Sequence, residues 1–273
     1  MNKHNIDISF IILTWNSHRF LDRCFSSIIS CCTEQKLNFE ILVSDNGSTD
    51  QSTDIFDRFS KEYPDQFKVE YLGKNTGTTY PRNLGLRKAA GEFICILDSD
   101  TELREGSLVD VLEILKSDDG VGLVVPRLLL PDGTIQNSVK RFPTFIQKLG
   151  KIRQAVFKMK AANSDFYPDF PFKTVTEVDT AISACWFFRR ELVETIGYLD
   201  ENIFYSPEDL DFCVRVRKAG FKILYCPHFT VFHDTQQISH RKPFSKVSRS
   251  HFGGLIYYFK KHGGWISNRH LYR

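Results

Sequence analysis

Two aspartates spaced two residues apart, Asp98 and Asp100, are the side chains whose type and spacing most directly suggest chemistry. They follow the apolar run 93–97, which predicts a buried strand. On an extended segment, residues two apart project to the same side, so both carboxylates would face one site. Mg²⁺ and Mn²⁺ prefer such oxygen ligands and complete their shells with substrate phosphates and water. A simple turn is the competing interpretation, because Asp and Ser favour turns.

Three carboxylates within four residues form a second candidate group: Glu208, Asp209 and Asp211. Ser206 and Pro207 before them predict a helix start, with Ser as the N-cap and Pro at the first helical position. Acids in the first turn also complement the helix dipole, so capping alone explains part of the cluster. Three carboxylates exceed what capping needs, and one at the mouth of a site can act as a general base.

A histidine and an arginine extend the list of candidates. His233 follows a short apolar run, and a neutral imidazole oriented by the neighbouring Asp234 is a common metal ligand. A lone His near a strand end is more often structural, and His228 competes for the same role. Arg82 precedes Asn83 near a predicted helix start, where a guanidinium suits phosphate oxygens. The alternative is a surface arginine.

The elements that must position these residues follow an alternating pattern in the first half of the chain. Short apolar runs predict strands at 8–13, 39–44, 67–72, 93–97 and 122–125. Amphipathic stretches predict helices at 18–31, 81–90 and 108–115. A further predicted helix follows the turn at 45–50 and runs through residue 59. This alternation predicts an α/β fold with a mostly parallel sheet covered by helices on both faces. Polar clusters follow the first four strands, so we expect one crevice at their carboxyl ends.

The second half has a weaker pattern. It predicts strands at 181–189, 222–225 and 230–232, and helices at 144–162, 206–219 and 244–261. Charge is uneven: residues 136–163 contain seven Lys or Arg and residues 235–273 contain eight, and neither segment contains Asp or Glu. Such basic segments meet a membrane, a phosphate or a nucleic acid, or form a solvated surface.

Several protein classes are disfavoured. The sequence has no P-loop, no GxGxxG and no GxSxG, which argues against kinases, classical dinucleotide enzymes and α/β-hydrolases. Seven cysteines without a CxxC pair favour a reducing compartment. No window approaches the ~20 apolar residues of a transmembrane helix.

The motifs, taken in order, resemble those of the inverting family-2 glycosyltransferases of the GT-A fold, in particular their bacterial rhamnosyltransferase-like branch. The similar stretches run from Ile8 to about His233. They are Thr14-Trp15-Asn16, residues 43–50, Asn75-Thr76-Gly77, residues 82–85, Asp98-Ser99-Asp100, residues 208–211 and His233. The branch often has Asn-Pro-Asp where this chain has Asp98-Ser99-Asp100, and small residues where it has Thr78-Thr79-Tyr80-Pro81. These differences leave the identity of the donor sugar open.

The resemblance implies sugar transfer, with inversion, from a UDP- or dTDP-linked donor to a saccharide or lipid-linked saccharide, in surface polysaccharide or glycan biosynthesis. A divalent metal, Mg²⁺ or Mn²⁺, is the implied cofactor. Trp15 would stack on the base, Asp45 would bind the pyrimidine edge and Asp98 the ribose. The implied donor-binding residues are Thr14, Trp15, Asn16, Asp45, Asn75, Arg82 and Asp98. The implied metal ligands are Asp100 and His233, and the implied catalytic base is Asp209 with Glu208 beside it.

The expected organisation has three parts. Residues 1–130 form the nucleotide-sugar-binding half, 131–235 the acceptor and catalytic-base half of the same GT-A domain, and 236–273 a basic tail. The tail lies on an anionic membrane surface or docks on the fold, and the aromatic stretch 166–170 stacks on sugar rings or belongs to the core. We expect a cytoplasmic protein in peripheral contact with the inner membrane face, and no nucleic-acid partner. The alternatives are a sugar nucleotidyltransferase, which should carry a Gly-rich N-terminal loop, and a non-catalytic binding module.

Overall fold

A mixed β-sheet forms the centre of the structure, a computed structural model that describes residues 6–156, 165–235 and 246–272. The strands are β1 (Ile8–Thr14), β2 (Phe39–Asp45), β3 (Phe67–Tyr71), β4 (Phe93–Asp98), β5 (Thr101–Glu105), β6 (Val121–Leu129), β7 (Val139–Lys140), β8 (Thr176–Val178), β9 (Thr180–Ala181), β10 (Cys185–Arg189) and β11 (Lys222–His233). Within the described residues, the main sheet runs β3-β2-β1-β4-β10-β6-β11-β5, and β8 also pairs with β11.

Helices cover both faces of this sheet. They are α1 (His18–Glu34), α2 (Ser52–Glu62), α3 (Thr79–Lys88), α4 (Leu108–Ser117), α5 (Phe145–Val156), α6 (Glu191–Ile196), α7 (Glu208–Lys218) and α8 (Lys246–His262). Because strand side chains alternate, Phe10 lies in a core cluster with residues of α1, α2 and α4, whereas Ile11 lies in a second cluster with residues of α3, α7 and α8. The predicted two-faced α/β architecture is confirmed, and the first-half strands and helices lie close to their predicted positions.

Register brings the predicted polar strand ends together. In the parallel part of the sheet, Thr14 pairs with Asp45, Asp45 pairs with Tyr71, and Leu13 pairs with Asp98. The carboxyl ends of β1, β2 and β4 therefore share one edge, as the alternation of strands and helices predicts.

Two strand predictions in the second half were wrong. The predicted strand 181–189 is broken at 182–184, because β9 pairs with β7 while β10 inserts antiparallel between β4 and β6. The predicted strands 222–225 and 230–232 are one strand, β11, whose register shifts between Cys226 and Thr230. This irregularity lets the first part of β11 pair with β8 and its end pair with β5, a strand that sequence patterns did not indicate.

The predicted start of α7 was also wrong. Ser206 is not the N-cap and Pro207 is not the first helical residue; the helix begins at Glu208, and Pro207 occupies the cap position without a side-chain hydrogen bond. The segment is held by a tertiary contact instead, because Gly254 of α8 packs directly on the Ser206 carbonyl oxygen. A side chain at position 254 would collide with that oxygen.

The tail helix α8 docks on the body of the protein. Leu255, Tyr258 and Phe259 are buried in the same core cluster as Phe212 of α7. Residues 236–245 and 157–164, included in the predicted tail and in the predicted helix 144–162, lie outside the described residues. Across the described helices, none is both long and apolar enough to cross a lipid bilayer.

Candidate active site

An open cleft of about 670 Å³ lies at the carboxyl ends of the parallel strands. Eight of the residues assigned to the site from sequence line it: Trp15, Asn75, Arg82, Asp98, Asp100, Glu208, Asp209 and His233. Thr14, Asn16 and Asp45 do not line it. Strand ends from the first half and the start of α7 from the second half thus contribute to one cavity.

Asp98, Asp100 and His233 form a compact group of possible metal ligands. One ligand atom from each residue lies within 4.8 Å of the others. The Nε2 atom of His233 is 3.5 Å from Oδ1 of Asp100. Burial alone would lower the pKa of His233, but its hydrogen bond and charge interaction with Asp100 outweigh burial and raise that pKa. Two carboxylates and an imidazole form a donor set that suits a divalent metal ion.

The short strand β5 fixes this group. After Asp100 the chain turns back along β11, where Thr101 pairs with His233 and the amide of Asp234 donates to the Asp100 carbonyl oxygen at 2.9 Å. The Thr101 hydroxyl also donates to the Asp98 carbonyl oxygen at 2.6 Å. The histidine is therefore held beside the aspartates by backbone pairing rather than by a flexible loop.

Gln136 orients the histidine and was not found from the sequence. Its Oε1 atom is 2.8 Å from Nδ1 of His233, so Nδ1–H donates to it, and loss of the Nε2 proton would make the Nε2 lone pair available to a metal ion. Gln136 also lines the cleft. No residue type or spacing pattern near position 136 signals this role.

Replacing Gln136 with Leu is expected to weaken Mn²⁺ binding by about 10–100-fold, which is typical when the partner of a metal-bound histidine is lost. The Gln136→Glu variant, which keeps an acceptor for Nδ1–H, should bind Mn²⁺ at least as well as the original protein. Titration calorimetry with Mn²⁺ alone measures both. Equal Mn²⁺ affinity in the Leu variant would contradict the orienting role.

Arg82 connects the two acidic groups across the cleft. Its Nη2 donates to Asp98 at 2.5 Å, and its Nη1 donates to Glu208 and to the Ser183 hydroxyl, each at 3.0 Å. Only 3% of Arg82 is exposed, so the surface-arginine alternative was wrong. Burial would lower the pKa of Arg82, but Asp98 and Glu208 together raise it. The guanidinium is thus a fixed positive charge that ties the end of β4 to the start of α7.

Glu208 and Asp209 have different surroundings although they are adjacent. Burial and the Asp209 charge raise the pKa of Glu208, against the opposing effect of Arg82. Asp209 is less buried, lines the cleft and accepts the Leu210 amide at 2.8 Å. Within the part of the chain that the structure describes, no cationic side chain pairs with Asp209. Its carboxylate is therefore the one with a free face towards a ligand.

The loops that follow β1, β2 and β3 are tied to one another. Asn16 accepts the Thr49 amide at 2.8 Å, and Asp45 accepts the Ser48 amide at 3.2 Å. Asn46, which also lines the cleft, donates to the Gly77 carbonyl oxygen at 2.8 Å. These contacts hold the loops after β1, β2 and β3 in one arrangement, with Trp15 43% exposed beside them. The donor-binding roles of Thr14, Asn16 and Asp45 stay predictions.

The segment 77–79, which follows β3, holds the loop before α7 in place. The hydroxyls of Thr78 and Thr79 donate to the Tyr205 and Ile203 carbonyl oxygens, each at 2.9 Å. Gly77 packs on the Phe204 carbonyl oxygen so closely that no side chain would fit. The unusual threonines at 78 and 79 thus have a structural role: they fasten the segment that carries Glu208 and Asp209.

Asp211 anchors the tail helix rather than lining the cleft. Its fully buried carboxylate accepts from His262 at 2.8 Å, from Lys261 at 2.7 Å and from Arg215 at 2.9 Å. Burial would raise the pKa of Asp211, but these partners outweigh it and lower that pKa strongly. The interaction links α8 to α7 two residues after Asp209.

The aromatic stretch 166–170 belongs to the fold rather than to the cleft. Phe170 packs edge-on against Tyr225 with ring centroids 5.6 Å apart, and Tyr167 against Phe172 at 5.5 Å. Both Tyr167 and Phe170 pack on the core cluster that contains Tyr225. Of the two alternatives for this stretch, the structure favours the core.

Comparisons with known proteins agree on one family. The family model described as "Glycosyl transferase family 2" matches residues 9–197, more than half of the chain. The N-acetylglucosaminyl-diphospho-decaprenol L-rhamnosyltransferase of Mycobacterium tuberculosis (strain CDC 1551 / Oshkosh) is 25% identical over 93% of this chain and 85% of its own length.

Solved structures share the fold. A crystal structure of GalNAc-T7 with UDP, GalNAc and Mn²⁺ matches 95% of this chain and 48% of its own, with a TM-score of 0.71 and 17% identity. Residues 1–349 of S. aureus TarS match 84% of this chain and 60% of that one, with a TM-score of 0.57 and 19% identity. This chain thus spans about half to three-fifths of the length of these structures.

Proposed function

The chain belongs to glycosyl transferase family 2, and we propose that it transfers a sugar, with inversion, from a nucleoside-diphosphate sugar to a saccharide or lipid-linked saccharide. The observation that carries this proposal is the shared lining of one cleft by Asp209, which has a free face, and by the ligand group Asp98, Asp100 and His233. A base and a site that holds a cation beside the leaving group serve the displacement of a nucleoside diphosphate by a hydroxyl.

A divalent cation fits the residues present. Four carboxylates line the cleft, and the positive charge among its predicted site residues comes from Arg82 and a protonatable His233. Clustered like charges at a partly buried site favour a bound cation. We propose Mg²⁺ or Mn²⁺ as the cofactor, held by Asp100 and His233, with Asp98 in reach as a further ligand or as the ribose partner. When bound, the ion supplies positive charge beside the diphosphate leaving group.

The residues of the chain would act as follows. Trp15 stacks on the base, and Asn75 lines the donor pocket beside it. Asp209 removes the proton from the acceptor hydroxyl, which attacks the anomeric carbon from the face opposite the leaving group. Arg82 holds Asp98 and Glu208 in place. We assign it this positioning role because its Nη atoms already bind protein acceptors.

The acceptor and the location are further proposals. The mycobacterial relative is named for an N-acetylglucosaminyl-diphospho-decaprenol substrate and L-rhamnosyl transfer. We propose that this chain also uses a lipid-linked saccharide, at the cytoplasmic face of the membrane, in surface polysaccharide biosynthesis. Residues 1–130 would bind the donor and 131–235 the acceptor. Family membership leaves the nucleotidyltransferase alternative without support.

Nucleotide binding tests the proposal directly. UDP or dTDP with Mn²⁺ is expected to raise Tm by roughly 5–10 °C at about 100 times Kd, since such binding adds ~2.7 kcal/mol and each kcal/mol shifts Tm by ~2–4 °C. Thermal-shift measurement with a panel of nucleoside diphosphates, each with Mn²⁺ or with EDTA, provides the test. Stabilisation by purine nucleotides alone would contradict a UDP- or dTDP-linked donor, and no stabilisation by any nucleotide would contradict the enzyme.

A further inference from the structure

An exposed apolar face lies far along the chain from the catalytic residues and has no role in the proposed reaction. It consists of Ile146 and Leu149 on α5 and of Trp265 and Ile266 in the turn after α8. These side chains are 56%, 41%, 40% and 79% exposed, in that order. We call these four residues the α5 face. Clustered exposed apolar residues on a folded protein commonly mark an interaction site.

The two parts of the α5 face are held together by direct contacts. The Phe145 amide donates to the Gly264 carbonyl oxygen at 3.0 Å, and the Ile146 amide donates to the Trp265 carbonyl oxygen at 3.3 Å. The rings of Phe145 and Trp265 lie 4.8 Å apart between centroids. The face is therefore a preformed surface, built by backbone contacts between two segments that are distant in sequence.

The same two segments carry the uneven positive charge of the chain. α5 belongs to residues 136–163, with seven Lys or Arg and no acid, and the turn after α8 belongs to residues 235–273, with eight and no acid. Exposed Lys260 and Arg269 flank Trp265 in sequence. The fold thus joins the two acid-free basic segments at the place where it exposes apolar side chains.

We propose that the α5 face docks on an anionic lipid surface. A tryptophan and aliphatic side chains exposed where two basic segments meet match the two parts of such a surface: the apolar groups would enter the interface, and the exposed cations Lys260 and Arg269 would meet the headgroups. The buried side of the tail helix does not supply these groups, because Leu255, Tyr258 and Phe259 are buried, although Phe252 on the same helix is 43% exposed. The inference rests on the membrane location proposed above but not on the reaction, since lipid binding needs neither donor nor acceptor.

Co-sedimentation of the full chain with vesicles tests the proposal. The protein is expected to bind vesicles of phosphatidylcholine mixed with phosphatidylglycerol, and to bind pure phosphatidylcholine vesicles and high-salt samples less well. The triple variant Ile146→Ser, Leu149→Ser, Ile266→Ser is expected to lose roughly tenfold or more in partitioning, because it removes apolar groups that enter the interface. All three side chains are exposed, so the fold should persist, which circular dichroism checks.

Val109→Ser on α4 is the matched control, because Val109 is also exposed but lies outside the basic segments. It should bind anionic vesicles like the original protein. Equal vesicle binding by the triple variant would overturn the proposal, as would the absence of binding to anionic vesicles.

Light scattering separates a further outcome: a dimer that the triple variant converts to a monomer, without vesicle binding, would assign the face to a second copy and reject the lipid surface. Nucleotide-dependent thermal stabilisation of the triple variant reports separately on the proposed enzyme.

Discussion

Replacing Asp209 with Asn is expected to lower kcat by about 10²–10⁴-fold, the contribution usual for a general base. Asn has nearly the same shape and still accepts the Leu210 amide, but it cannot take up the proton of the acceptor hydroxyl. Donor binding should change little, because no contact of Asp209 supports the ligand group of Asp98, Asp100 and His233. Steady-state kinetics with a nucleotide-sugar and calorimetry with the nucleoside diphosphate measure the two quantities.

Glu208→Gln is the matched control for this variant. Its amide oxygen still accepts from Arg82 and Ser183, so the loss in kcat should be clearly smaller than for Asp209→Asn. A fully active Asp209→Asn protein would reject the base assignment. If instead Glu208→Gln showed the larger loss in kcat with unchanged KM for the donor, the base would be Glu208, and its link to Arg82 would have to open during turnover.

The difference between these two carboxylates is not visible in the sequence. The sequence pattern predicts both acids in the first turn of a helix, and the structure confirms this placement. The predicted helix start, with Ser206 as the N-cap, was wrong, because the helix begins at Glu208. What separates them is a contact with Arg82, 126 residues away from Glu208 along the chain. Local patterns carry no information on such a pairing, because it depends on where α3 and α7 meet.

The first half of the fold is readable from the sequence for a physical reason. Strands buried on both faces are nearly continuous apolar runs, and the helices between them show one apolar side. Because neighbouring strands in this part of the sheet are parallel, their carboxyl ends lie at the same edge. The second half lacks this regularity, since β10 runs antiparallel. The exception in the first half is β5, which among the described residues pairs with the end of β11 alone. β5 and Gln136 have no local signal because their partners are distant in sequence.

The tail illustrates the same limit on a larger scale. An amphipathic basic pattern from 244 to 261 fits both a membrane helix and a docked helix. The structure favours the docked helix, because the buried carboxylate of Asp211 binds Lys261 and His262. The sequence shows an acid and two basic residues, but only the packing of α8 on α7 shows that they meet. The side of the helix that carries Leu255, Tyr258 and Phe259 therefore belongs to the core, while Phe252 on the helix and Trp265 and Ile266 in the turn beyond it are exposed.

Replacing Asp100 with Ala is expected to weaken Mn²⁺ binding by more than the ~10–100-fold that loss of an outer partner costs, because a direct ligand oxygen is removed. Binding of UDP or dTDP should then lose its dependence on Mn²⁺. Calorimetry with Mn²⁺ alone, and with the nucleotide in Mn²⁺ or EDTA, measures both effects. Glu102→Ala is the control: this carboxylate lies two residues further on, pairs with Arg104 at 2.9 Å and stands outside the ligand group.

The comparison between Asp100→Ala and Asp98→Ala then separates the roles of the two aspartates. If Asp98 serves the ribose, its loss should weaken nucleotide binding in EDTA as well as in Mn²⁺, and it should leave binding of Mn²⁺ alone nearly intact. If Asp98 is instead a ligand, both variants should lose Mn²⁺ affinity. Because Arg82 already occupies one oxygen of Asp98 and no cationic side chain among the described residues except His233 approaches Asp100, we expect the larger loss of Mn²⁺ affinity at Asp100. Unchanged, Mn²⁺-dependent nucleotide binding in Asp100→Ala would reject the ligand assignment.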